Sequence, residues 1–167
     1  MPDDQPEDKG DFENPPSFFP YDEESVAEGH LPGDYGEPVS VQVEAVFRTV
    51  ASESEQHFVL LTDSDRKLPI MIGPFEAASI AYALEGQHPD RPMTHDLFKN
   101  MLAKLDATID RVVIDDLWGS TYYAKIYVRQ GDEEAEIDSR PSDAIALAVR
   151  LDAPIFVADG ILDQAQT

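Results

Sequence analysis

The sequence contains no cysteine, which excludes disulfides and thiolate metal sites and is compatible with a cytoplasmic protein. It has no uninterrupted apolar run of the roughly 18 residues that a transmembrane helix needs, so no membrane partner is expected. Its first residues, MPDDQPEDKG, hold neither a basic nor an apolar stretch, and no signal peptide is expected there. Basic residues are scarce. Twelve Lys and Arg face 34 Asp and Glu, a formal net charge of −22, and only five of the twelve are lysine. A surface this acidic keeps a protein soluble by self-repulsion, which concentrated salt screens, so a halophilic source is expected. Phosphate-binding glycine loops, dinucleotide fingerprints and serine nucleophile elbows are all missing. Non-specific nucleic-acid binding normally rests on Lys and Arg neutralising phosphates, and the linear order shows no basic patch.

Residues 1–38 carry 12 of the acids, seven of the 13 prolines and four of the nine glycines. That composition disfavours a packed core, and the stretch is expected to be a flexible acidic tail. Phe12, Phe18, Phe19, Tyr21 and Tyr35 are unusual in such a tail and suit docking on the domain or on another subunit. From Val39 the pattern changes. Val39, Val41, Val43 and Ala45 alternate with polar residues, as in a half-buried strand. Phe58 to Leu61 and Leu68 to Ile72 follow as strands across a turn-rich Thr62-Asp63-Ser64-Asp65. Gly73-Pro74 opens a helix with Ala77, Ile80, Ala81 and Leu84 on one stripe. Phe98, Met101, Leu102 and Leu105 mark a second helix after Thr94. Arg111 to Leu117, Tyr122 to Val128 and Ala135 to Asp138 form a meander. A third helix starts near Pro141 with Ala144, Leu147, Ala148 and Leu151, and Ile155 to Val157 is a last short strand. The expectation is an α+β domain over residues 39–163, mainly antiparallel, with three helices in the order βββααβββαβ and a short end at 164–167.

Two helix starts concentrate the chemistry. Residues 137–151 read IDSRPSDAIALAVRL, and residues 91–98 read RPMTHDLF. Proline suits the first helical turn, where its missing N–H costs nothing. Ser139, Ser142 and Asp143 suit the start of the third helix, and Thr94, as N-cap, with Asp96 suits the second. The unpaired N–H groups of a first turn favour anions, and Arg91 and Arg140 add bidentate donors for phosphate. Asp96, Asp138 and Asp143, with His95 and Glu76, are the candidates for general-base work or for holding a divalent metal, Mg²⁺ or Mn²⁺. Each acid also has a plainer reading, since an Asp in a first turn stabilises its helix by about 0.3–1 kcal/mol without catalysis. Asp138, at a strand end, is harder to explain by capping alone. Arg91 and Arg140 equally suit bridges to nearby carboxylates. Trp118, Tyr122 and Tyr123 suit the core or an interface better than base stacking.

These motifs, with Ile72-Gly73-Pro74-Phe75-Glu76-Ala77 upstream and Pro154-Ile155-Phe156-Val157 downstream, resemble the bifunctional nuclease domain family from about Val39 to Leu162. Asp106 departs from the glycine expected after the second helix, a difference that touches only a turn. The resemblance implies a nuclease hydrolysing phosphodiester bonds in RNA and DNA, and a homo-oligomer is expected. On this reading Asp138, Asp96, Asp143 and His95 are catalytic, and Arg91, Arg140, Thr94 and Ser142 bind phosphate. The alternative is a non-enzymatic oligomeric module that holds a small anionic ligand or a protein partner. Convergence of Asp96, Asp138 and Asp143 would favour the nuclease, and divergence the module.

Overall fold

The computed structural model describes residues 33–51 and 54–166, so Phe12, Phe18, Phe19 and Tyr21 lie outside the described residues. Along the chain come β1 (Pro38–Ala51), β2 (Ser54–Thr62), β3 (Lys67–Ile72), α1 (Pro74–Leu84), α2 (Thr94–Lys104), β4 (Ala107–Trp118), β5 (Thr121–Gln130), β6 (Glu133–Ser139), α3 (Pro141–Leu151), β7 (Ile155–Ala158) and α4 (Asp159–Gln164). The strands make one sheet in the order β3-β2-β1-β7-β4-β5-β6. Long β1 spans its middle, pairing Pro38 to Val41 with β7 and the residues from Gln42 with β2, with a bulge at Glu44.

The α+β class and the first ten elements match the sequence expectation, with two corrections. The sheet is mixed, because β7 lies antiparallel to β1 but parallel to β4. Strand β7 is central and nearly all apolar, the pattern of a strand covered on both faces. The described residues also hold a fourth helix, α4, which buries Ile161 and Leu162. Six residues are too few to display a helical repeat, so there is no stripe to read.

The core lies between the sheet and α1, α2 and α3, with α3 touching both other helices as well as β4 and β5. Ala144, Ala146 and Ala148 are buried beside Ile145 and Leu147. These small side chains let α3 approach its neighbours closely, while Ile145 and Leu147 join the buried cluster that holds Val112, Ile114 and Ile126. Tyr35, assigned to the tail by composition, packs against this core and donates its hydroxyl to the Leu117 carbonyl at 2.7 Å.

Helix starts differ from the expectation in one detail. Met93, not Thr94, caps α2, because Asp96 reaches back to accept the Met93 N–H at 3.0 Å. Asp106, where a glycine was expected, adopts φ +53°, the left-handed backbone that glycine takes without penalty.

Candidate active site

Each of α1, α2 and α3 has an extended cap residue and an acid at its third position: Gly73 and Glu76, Met93 and Asp96, Arg140 and Asp143. The Glu76 carboxylate folds back over the Gly73 cap, where a Cβ would displace it. The first turns of all three helices line one cavity of about 730 Å³. Its polar wall includes Glu76, Ser79, Thr94, His95, Asp138, Ser139, Arg140 and Asp143, and Phe75, Phe98 and Ile137 form an apolar lip. First turns carry unpaired N–H groups and partial positive charge. Three of them at one cavity offset part of the charge of its carboxylates, Glu76, Asp138 and Asp143.

A connected network crosses the cavity floor. His95 Nε2 lies 3.1 Å from Asp143 Oδ1, and His95 Nδ1 lies 2.9 Å from Ser79 Oγ. Arg150 Nη2 donates to Ser79 Oγ at 3.1 Å, and its Nε donates to Asp96 at 2.7 Å. With Arg150 as a donor, the serine hydroxyl proton is free for His95 Nδ1, which fits an imidazole carrying its proton on Nε2 toward Asp143. Arg140 donates to both Asp143 oxygens at 2.8 and 3.2 Å and pairs with Glu76 at 3.0 Å. The hydrogen bond from His95, with Arg140 assisting and burial opposing, holds the Asp143 carboxyl down at about 2. Ser139 Oγ is buried without a hydrogen-bond partner in the same wall. An orphaned buried hydroxyl calls for an explanation, and an absent ligand oxygen is one.

The structure therefore brings together Glu76, Thr94, His95, Asp138, Arg140 and Asp143. The two arginine-marked helix starts touch directly, through His95 and Asp143. Asp96, Arg91 and Ser142 do not line the cavity. Asp96 turns to Arg150, and Ser142 is buried beside a neighbouring groove. Burial opposes ionisation of Asp96, yet the bonds from Arg150 and the Met93 N–H keep its pKa lowered. Among the described residues no three His, Asp or Glu side chains are grouped to hold a metal ion. As placed, Asp96 and Asp143 spend their oxygens on arginine, histidine and backbone, so the residues do not fit a metal.

Sequence reasoning missed Ser79 and Arg150. Their signal was a hydroxyl and a guanidinium inside otherwise apolar helical runs, Ala77 to Ile80 and Ala144 to Leu151. Trp118 is largely exposed, whereas Tyr122 packs against the core.

The model of the bifunctional nuclease domain matches residues 59–167, and the chain belongs to that family. An "Uncharacterized protein Rv1829" of Mycobacterium tuberculosis is 39% identical over 126 residues, 74% of this chain and 75% of that protein. "Bifunctional nuclease 1" of Oryza sativa subsp. japonica is 32% identical over 97 residues, 56% of this chain but 29% of its own length. "Bifunctional nuclease 2" of Arabidopsis thaliana is 28% identical over 93 residues, 54% of this chain and 28% of its own. The match thus spans under a third of these plant proteins. No helix among the described residues is long and apolar enough to cross a membrane.

Proposed function

We propose that this chain is a nuclease that hydrolyses phosphodiester bonds of RNA and DNA in the cavity at the three helix starts. The observation that carries the reading is the convergence of those first turns on the linked side chains of His95, Asp143 and Arg140. A phosphate entering the cavity meets helical N–H groups and draws Arg140 from its carboxylates by bidentate hydrogen bonding. Thr94 and the orphaned Ser139 hydroxyl lie in the same wall to complete its contacts.

Hydrolysis then needs a base for the attacking water. The water oxygen bonds to phosphorus, its proton passes to His95, and the bond to the leaving sugar oxygen breaks as that oxygen takes up a proton. For this, His95 must exchange Asp143 for water at Nε2 and move its proton to Nδ1, facing Ser79 Oγ, which frees the Nε2 lone pair, a rearrangement of the kind substrate binding produces. Asp143, ionised far below neutrality, stays beside the ring and stabilises the imidazolium by its charge, while Ser79 orients the ring through Nδ1. Asp138 stands at the rim, where it is placed to accept a proton or to exclude a wrongly oriented phosphate.

The test is cleavage of labelled RNA and DNA by wild type and His95→Ala, each with and without EDTA. Cleavage by wild type and its loss in the folded variant support the reading, and an inert wild type with intact fold removes it. Divalent metal is decided in the same experiment. Activity abolished by EDTA would contradict the metal-free chemistry read from these side chains. Activity that survives EDTA assigns the chemistry to His95 alone.

A second reading follows from the hydrogen bonds that already tie Asp143 and Glu76 to Arg140 and His95. A preorganised pocket also suits a cytoplasmic homo-oligomer that holds a small anion without cutting anything. Binding of a mononucleotide by an inert wild type would favour it.

A further inference from the structure

Every described lysine and arginine pairs with a carboxylate except Arg91, Lys99 and Lys104. In a chain of net charge −22, the uncompensated cations thus fall on one segment, α2 and the residues just before it. Lys99 turns toward α3 and donates to the Arg150 carbonyl at 3.0 Å. Lys104 shares a face with Leu97 and Met101, at i, i+4 and i+7, and the adjoining row is Thr94, Phe98, Met101 and Leu105. No residue of α2 is buried, and these apolar side chains are about half exposed. The row begins at the cavity, where Phe98 and the 85% exposed Phe75 form the lip.

Resting on the nuclease reading of that cavity, we propose that this strip is the track along which an unpaired nucleic-acid strand enters. Exposed apolar rows rimmed by polar residues mark binding surfaces. The occupant here must offer both flat apolar faces and negative charge. A second copy of the chain, at net charge −22, repels the acidic remainder of this one across a whole interface, whereas a strand of a few nucleotides meets only the strip. A duplex offers phosphates but keeps its base faces stacked inside. A single strand offers both, with bases against Phe75 and Phe98 and phosphates at Arg91 and Lys104. The face from Thr94 to Lys104 is about 15 Å long, enough for a few nucleotides beyond the cavity.

The test is fluorescence anisotropy of a short labelled oligonucleotide, single-stranded and as a duplex, in the His95→Ala background, where cleavage and binding are read apart. The single strand is expected to bind about tenfold more tightly than the duplex. Phe98→Ala should weaken it by about tenfold, the scale of one lost base stack. Arg91→Gln with Lys104→Gln should flatten log K against log salt by about 1.4, or about 0.7 for each lost phosphate contact. All three positions are exposed, and unchanged melting confirms the fold. Equal affinity for duplex and single strand would overturn the track. So would sedimentation showing a dimer that Phe98→Ala dissociates without changing oligonucleotide affinity. Binding as described by a wild type that cuts nothing would support the track and remove the nuclease reading alone.

Discussion

The starts of α2 and α3 carry nearly the same residues and do different work. Both place an aspartate at the third helical position, and both have an Arg-Pro pair at or just before the first turn. In α3 the arginine is itself the cap residue, three positions before Asp143, and its guanidinium clasps that carboxylate within the cavity. In α2 the arginine stands five positions before Asp96, out of i,i+3 reach. Asp96 therefore closes its own helix through Met93 and anchors Arg150, whose side chain is only 6% exposed. Two residues of offset separate an acid tied to its own helix and a buried arginine from one that lines the cavity.

The comparison breaks most sharply on activity. His95→Ala should lower kcat/KM by about 10²–10⁴, the range of a lost general base, with only a modest change in melting temperature. Asp96→Asn should instead cost about 2 kcal/mol of stability, because Arg150 stays buried with a weakened partner. Urea unfolding measures this, and a cost near zero would mean that Arg150 finds another acceptor. Ser139→Ala should raise stability by about 1 kcal/mol by removing the orphaned hydroxyl, while raising KM. An unchanged KM would place that hydroxyl outside the substrate's reach. Acid stability is affected as well. The folded Asp143 carboxyl sits near 2, below its unfolded value of about 3.9. Its contribution is thus complete above about pH 4 and is lost as pH falls through 2. In His95→Ala, titration followed by NMR should show Asp143 moving up and Asp96 unmoved.

Much of the fold was legible because its elements carry strong periodicity or punctuation. Pro74 and Pro141 open α1 and α3 as first-turn prolines do, and the expected glycine at Asp106 falls on a left-handed residue. Short elements escaped. Helix α4 shows no repeat, and the parallel pairing of β7 with β4 depends on contacts about forty residues apart that no local pattern encodes. Within the site, the acids and His95 were visible as types, but not which way they turn. Asp96 and Asp143 look alike until Arg150 and Arg140 claim them. Arg150 was hidden by its setting, a charged residue on a helix that reads as core.

The most direct measurement compares phosphodiester cleavage by Asp143→Asn and Asp96→Asn, both shown to be folded at the assay temperature. Asp143→Asn is expected to lose at least about a hundredfold in kcat/KM. Asp96→Asn should keep wild-type turnover in the fraction that remains folded. A fully active Asp143→Asn, or a folded and inactive Asp96→Asn beside it, would contradict the division of labour between the two helix starts.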